Sequence, residues 1–236
     1  MNLIKIIIND FKTVKKNDPA LKSNFELLFN YPGVWALLFY RVSNFLYKKG
    51  LRFIPRLISA LGQFLTTVDI HPGATIGKGV FIDHAIGVVI GETAIVGNNV
   101  IIYQQVTLGG VSLSKGKRHP TIEDGVTIGA GAKVLGNITI GKDAKIGANS
   151  VVIKDVPSEC TAVGVPAHIT KRLDNKEPLR HNIMPDFEKD LFKYLLERIE
   201  ILENAIENNT NINIDKNKEN ELNSEHKEYI DSIIKD

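Results

Sequence analysis

The chain has 236 residues, 43% hydrophobic and 24% charged, with a formal net charge of +2 at pH 7. That is ordinary for one or two folded domains, and the dispersed charge excludes a dedicated nucleic-acid surface, which needs clustered Lys and Arg. The single cysteine, Cys160, excludes an intrachain disulfide, and no apolar run reaches the ~20 residues of a bilayer span. The run from Leu3 to Ile8, broken by Lys5, is too short for a secretion-signal core. A cytoplasmic protein with no membrane partner is expected.

Residues 1–66 read as helical. Leu3, Ile4, Ile7, Ile8, Phe11 and Val14 fall at helical spacings. Asn17-Asp18-Pro19 reads as a stop and restart, with Asp18 as N-cap and Pro19 at the first helical position. Tyr31-Pro32-Gly33 is a second break, followed by the stripe Val34, Leu37, Leu38, Arg41, Val42, Phe45 and Leu46, and Pro55 opens a third helix.

Residues 67–175 carry a period of six. Ile70, Ile76 and Ile82, then Ile90, Val96, Ile102 and Leu108, then Ile122, Ile128, Val134, Ile140, Ile146 and Val152 are all aliphatic. Ala74, Val80, Ala94, Val100, Val106, Val126, Ala132 and Ala144 stand four residues after members of the series. Every sixth side chain drifts around a helix, whereas an even period returns to one face of an extended chain. The pattern therefore predicts a parallel β-helix of stacked coils. The N-terminal helices are expected to cap its first coil, whose end would otherwise expose unpaired strand edges. Two steps break the phase. Ile82 to Ile90 carries two extra residues, assigned to Gly87-Val88-Val89, and Leu108 to Ile122 carries a polar, basic excursion between Gly110 and Pro120. Long excursions from a repeat tend to sit on the functional face. Val156-Pro157 and Gly164-Val165-Pro166 are expected to end the last coil and turn the chain back.

Residues 176–184 read as a linker. Residues 185–207 read as an amphipathic helix in which Phe192, Leu195, Ile199, Leu202 and Ile206 form an a/d seam over about two heptads. The seam could join copies of the chain or lie on its own subunit. Residues 208–236, rich in Asn, Lys and Glu, read as a polar, disordered tail.

Acids and histidines are scarce within the coil, so Asp69, Asp83-His84 and Arg118-His119 stand out beside its two insertions. A His beside a carboxylate can serve as a general base near neutral pH. Asp69 and His84 are close to one circuit of three hexapeptides apart, which allows them to meet on adjacent coils. A zinc site would need three convergent ligands, and His71, His84 and His119 could supply them only across subunits. The chain has no G-x-S-x-G nucleophile elbow and no G-K-[ST] phosphate loop. Direct transfer with a general base fits this inventory.

Val68-Asp69-Ile70-His71-Pro72, Asp83-His84-Ala85, Gly91-Glu92-Thr93-Ala94, Val106-Thr107-Leu108-Gly109-Gly110, Arg118-His119-Pro120, Ile128-Gly129-Ala130-Gly131-Ala132 and Gly164-Val165-Pro166-Ala167, with Asp18-Pro19-Ala20 upstream, resemble the serine O-acetyltransferases. The resemblance runs from about Asp18 to Lys171. It implies a left-handed parallel β-helix of hexapeptide repeats; with the N-terminal helical region before it and the C-terminal heptad helix and polar tail after it, the chain as a whole is expected to be α+β. It implies a homotrimer with active sites between neighbouring subunits. The reaction would be acetyl transfer from acetyl-CoA, a co-substrate, to the hydroxyl of L-serine, giving O-acetylserine for cysteine synthesis, with no resident metal and no permanently bound cofactor. By matched motif positions, His84 would be the general base, Asp69 its orienting partner and His119 a second essential imidazole from the adjoining subunit. Asp18 and Asp83 would hold the serine ammonium and Arg118 its carboxylate. Gly110, Ala130 and Ala148 would give backbone contacts to the pantetheine arm, and Lys171 and Arg172 would meet the CoA phosphates.

Two features depart from the family pattern. Only 17 residues precede Asp18, so a trimer is expected rather than a dimer of trimers. The chain ends Ile233-Ile234-Lys235-Asp236, not on the terminal Ile with which many members enter O-acetylserine sulfhydrylase. The residues alone leave other readings open: a hexapeptide O-acetyltransferase acting on a sugar or other hydroxyl, a zinc hydratase of the same architecture, or a non-catalytic assembly module.

Overall fold

The computed structural model describes residues 3–170 and 187–209. The chain divides into two compact units, Met1–Ile183 and Met184–Asp236. The first begins with four helices, α1 (Leu3–Asn17), α2 (Glu26–Phe29), α3 (Pro32–Lys48) and α4 (Phe53–Thr66).

Short strands then wind in circuits. β1 (Asp69–Ile70), β2 (Thr75–Ile76) and β3 (Phe81–Ile82) make the first, and β4 (Val89–Ile90), β5 (Ile95–Val96) and β6 (Ile101–Ile102) the second. The third is β7 (Thr107–Gly109), β8 (Thr121–Ile122) and β9 (Thr127–Ile128), and the fourth β10 (Lys133–Leu135), β11 (Thr139–Ile140) and β12 (Lys145–Ile146). β13 (Val151–Val152), a bridge from Val156 to Ile140, and β14 (Thr161–Gly164) make the last. β15 (Ala167–Thr170) returns antiparallel along β14, the expected turn back.

Each strand pairs in parallel with its counterpart one circuit on, giving three sheets: β1-β4-β7-β10-β13 (sheet 1), β2-β5-β8-β11 (sheet 2), and β3-β6-β9-β12-β14-β15 (sheet 3). Strands this short cannot bury an apolar face alone, so the stack is stable only as a whole. The arrangement is consistent with a left-handed β-helix. All thirteen aliphatic positions of the period-six series are buried, with Ile102, Leu108, Ile122, Ile128, Val134, Ile140 and Ile146 at 0% exposure. The intervening Ala74, Val100, Val106, Val126, Ala132 and Ala144 are equally enclosed. An uninterrupted circuit sets Thr121 beside Thr139. The short insertion sets Asp69 beside Val89, and the long one sets Thr107 beside Lys133.

The short insertion lies earlier than expected. Val88 is fully buried and Val89 occupies β4, both in regular phase. The extra residues therefore fall within the corner Asp83–Gly87.

The helices cap the first circuit as expected, because its outer strand edges would otherwise carry unpaired backbone groups. Ser59 Oγ donates to the Ile70 carbonyl, and Tyr40 Oη donates to the Ala74 carbonyl while accepting the Ile76 N–H. Asn44 Nδ2 donates to the Pro72 and Ala74 carbonyls. Arg41 donates to the Ile76 and Gly77 carbonyls and is paired at 2.9 Å with the buried Asp10 of α1. Gly33 lets the start of α3 sit on β3, where a Cβ would overlap the Ile82 carbonyl. Two local expectations fail. Asp18 caps no helix, because the chain after α1 makes a turn in which the Ala20 N–H donates to Asp18 Oδ1 at 2.7 Å. Pro55 is the third residue of α4 rather than its first.

In the second unit, α5 (Phe187–Asn209) is helical, and Phe192, Leu195, Ile199, Leu202 and Ile206 are exposed. Lys171, Arg172, the linker 176–184 and the tail beyond Asn209 lie outside the described residues. Among the described residues, no helix is long and apolar enough to cross a membrane.

Candidate active site

The corner between sheets 3 and 1 carries Asp83-His84-Ala85. His84 and Ala85 sit at φ 55 and 59, in the left-handed region that non-glycine residues occupy at a cost. Local hydrogen bonds hold them there. The Ala85 N–H donates to the Asp83 carbonyl at 2.6 Å, the Ile86 N–H to the His84 carbonyl at 2.7 Å, and the His84 N–H to Asp83 Oδ1 at 2.9 Å. The result is an exposed imidazole on a pinned backbone.

The turn after α1 brings Asp18 close to this corner. Tyr31 Oη donates to Asp18 Oδ2 at 2.6 Å, and burial together with that bond pushes the Tyr31 hydroxyl up to about 12. Burial also pushes the Asp83 carboxyl up; the Asp18 carboxylate adds to the push, while His84 and its N–H oppose it. A carboxyl raised by burial and by a second carboxylate forms with it a site that a cation would relieve.

Asp69 stands at the same corner. Its N–H donates to the Val88 carbonyl at 2.9 Å, and the Gly87 N–H donates to the Thr67 carbonyl at 3.0 Å. Its side chain makes no hydrogen bond to His84, and its charge bears on His71 instead.

The corner between sheets 1 and 2 carries the other residues. The long excursion leaves after β7 and folds back over the equivalent corner of the second circuit, at Glu92-Thr93. Arg118 Nη2 pairs with Glu92 Oε2 at 2.6 Å, and Lys117 Nζ donates to the carbonyls of Thr93 and Pro120. The Arg118 hydrogen bond holds the Glu92 carboxyl below the usual range. Thr93 Oγ1 accepts the N–H groups of Arg118 and His119 and lies 2.8 Å from His119 Nδ1. His119 is 8% exposed, and burial, followed by the nearby Arg118 and Lys117 charges, pushes its imidazole down. On the same edge, His71 Nδ1 accepts the Gly73 N–H at 2.9 Å, and Tyr47 Oη donates to Glu92 Oε1.

The predicted residues thus fall on two edges of the coil. Asp18, Asp83 and His84 gather at one, Asp69 opens the adjoining strand β1, and Arg118 and His119 lie at the other. Gly110 lies on the His119 edge. Ala130 and Ala148 lie on the His84 edge, further along the same column of corners, where the Gly131 N–H donates to the Gln104 carbonyl and the Asn149 N–H to the Ala130 carbonyl. Tyr31, Glu92, Thr93 and Lys117 received no role from the sequence. Gly91-Glu92-Thr93-Ala94 was visible as a motif, but only the fold-back of the excursion assigns it partners. Among the described residues, no three His, Cys, Asp or Glu side chains converge as a metal site.

A profile for bacterial transferase hexapeptide (six repeats) matches residues 119–154. A serine acetyltransferase from Synechococcus elongatus is 52% identical over 206 residues, covering 87% of this chain and 84% of its own. One from Synechocystis is 55% identical over 205 residues, covering 86% and 82%. Among solved structures, soybean serine acetyltransferase complexed with serine is 48% identical with a TM-score of 0.69, covering 71% of this chain and 69% of the soybean chain.

Proposed function

This chain belongs to the serine acetyltransferase family, and we propose that it transfers the acetyl group of acetyl-CoA to the hydroxyl of L-serine, giving O-acetyl-L-serine and CoA for cysteine biosynthesis. The observation that carries the reading is the pairing of Asp18 with Asp83 beside the exposed His84. A free amino acid brings an ammonium, which two carboxylates suit, next to the hydroxyl from which His84 takes the proton. A serine hydroxyl is a weak nucleophile at neutral pH, and a positioned base is worth roughly 10²–10⁴ in rate. The soybean relative's complex with serine supports the same acceptor.

His84 acts as general base, and Asp69 orients its imidazole when substrate closes the corner. Arg118 takes the serine carboxylate. Glu92 holds one end of its guanidinium, and its five N–H donors leave some to spare. Gly110, Ala130 and Ala148 present backbone to the pantetheine arm, and Lys171 and Arg172 meet the CoA phosphates. The coil is read as left-handed, with the sites shared between copies of a homotrimer, so that one copy's His84 edge faces its neighbour's His119 edge. Exposed Ile54, Leu57, Leu61 and Phe64 on α4 supply apolar surface for such an assembly. The α5 seam would tether the copies further.

Thiol release from acetyl-CoA tests the function. Release should require L-serine, fail with sugars and homoserine, and disappear in His84→Ala. Release with a sugar but not with serine would keep the fold and the chemistry and discard the zwitterion clamp.

A further inference from the structure

The hydrogen bonds around His119 fix where its proton sits. The Thr93 peptide N–H points at His119 Nδ1 at 3.2 Å, and a peptide N–H can only donate. Nδ1 therefore presents a lone pair. The Thr93 hydroxyl reaches the same atom at 2.8 Å and already accepts two peptide N–H groups, from Arg118 at 3.0 Å and His119 at 3.1 Å. A hydroxyl offers one proton and two lone pairs, so its proton also goes to Nδ1. The neutral ring then carries its hydrogen on Nε2. No protein atom among the described residues accepts from Nε2. That nitrogen lies over Gly91, where a Cβ would overlap it, and faces Gly110, where a Cβ would stand 3.3 Å away.

We infer that His119 is a neutral hydrogen-bond donor to the carbonyl oxygen of the acetyl thioester as it becomes an oxyanion, and that Thr93 is the positioning residue that locks its tautomer. The inference rests on the acetyl-transfer reading and deepens it. The serine oxygen attacks the thioester carbon and its proton passes to His84. The carbonyl π electrons move onto oxygen, where His119 Nε2–H meets the new charge. The C–S bond then breaks and the thiolate takes the proton back from His84. His119 gives up no proton at any step. Burial and the neighbouring Arg118 and Lys117 charges disfavour imidazolium, which keeps the ring in the donor form described. Gly110 lies beside Nε2 and on the proposed thioester path, which sets the donor at the acyl end of the pantetheine arm.

Nitrogen NMR of ¹⁵N-histidine-labelled full-length protein, with His119 assigned by difference against His119→Gln, reads the tautomer without any turnover. At neutral pH the resonances should show a protonated Nε2 and a bare Nδ1; Thr93→Val, which keeps the peptide N–H and loses the hydroxyl, should leave Nε2 protonated but move the Nδ1 resonance as its shorter hydrogen bond is lost, while Thr93→Ser should not. In the thiol-release assay Thr93→Val should lower kcat by about 10²-fold, the scale of a lost oxyanion donor, with the serine KM little changed. Thr93→Ser should restore most of the rate, and His119→Gln, which keeps a donor, should exceed His119→Ala. A doubly protonated or Nδ1-protonated His119 would overturn the assignment. A Thr93→Val loss confined to serine KM would move His119 onto the substrate carboxylate and overturn the oxyanion role. Wild-type protein that transfers no acetyl group would sink the functional reading and the oxyanion role together. The nitrogen spectrum would still decide which nitrogen of His119 carries the proton.

Discussion

Gly91 and His119 show how one missing carbon can position a reactive ring. A Cβ at residue 91 would overlap His119 Cδ2 and Nε2, and the ring is held from its other side by Thr93, so neither neighbour can yield cheaply. Gly91→Ala should therefore displace the imidazole while leaving the coil intact. Activity should fall by about 10²-fold, with an unchanged circular dichroism spectrum and a melting temperature lowered by the strain; full activity would show that the ring needs no such seat. Asp83 adds a pH dependence. Burial raises its carboxyl above the ordinary value, with Asp18 adding to the shift, and it must be ionised to hold an ammonium. Protonation then begins at a higher pH than for a free carboxylate, so serine kcat/KM should fall on acidification before ordinary carboxylates titrate. Asp83→Asn should lower kcat/KM throughout and remove this carboxyl's part of the acid limb, leaving the part that protonation of the general base imposes. The residue types at both edges were legible in the sequence because a polar side chain in an aliphatic repeat is conspicuous. Roles for Thr93, Glu92 and Tyr31 were not legible, because their partners are 26, 26 and 13 residues away and only folding brings them together.

At the scale of elements, the hexapeptide strands were readable because their core is one-dimensional: each residue's burial follows from its phase alone. The corners were less readable. Phase counts how many residues an insertion adds but not where they go, which is why Gly87-Val88-Val89 looks like the site of the extra pair although Val88 is core. The need for a helical cap was legible, but not its parts. Asp10 and Arg41 sit in stretches that read as amphipathic helix, yet both are buried and bonded. Arg41 compensates Asp10 and satisfies two carbonyls at the open end of the coil, so Arg41→Met leaves a buried carboxyl and two unpaired acceptors. Loss of one partner of such a pair costs about 3–5 kcal/mol, which denaturant unfolding should record. Asp10→Asn combined with Arg41→Met should recover part of it, since no uncompensated charge remains. Equal stability of the wild type and Arg41→Met would assign the cap to the Tyr40, Asn44 and Ser59 bonds alone.

At the scale of the whole molecule, the two edges can be told apart by mixing defective copies. His84 stands where sheet 3 turns into sheet 1, and His119 where sheet 1 turns into sheet 2, so within one copy the width of sheet 1 lies between them. If a site takes His84 from one copy and His119 from its neighbour around a closed ring, the two defects can be sorted into different sites. His84→Ala and His119→Ala proteins should each be nearly inactive. When they are mixed in equal amounts, dissociated and reassembled, a site is intact when its His84 comes from a His119→Ala copy and its His119 from a His84→Ala copy. Each condition is met half the time, so about one quarter of wild-type activity should return. Activity should rise with reassembly time, and mixing without dissociation should give none. A mixture that stays inactive while sedimentation shows hybrid assemblies would place both imidazoles in one copy's site. The long excursion would then have to carry His119 across sheet 1, against the hydrogen bonds by which Thr93 now holds it to its own edge.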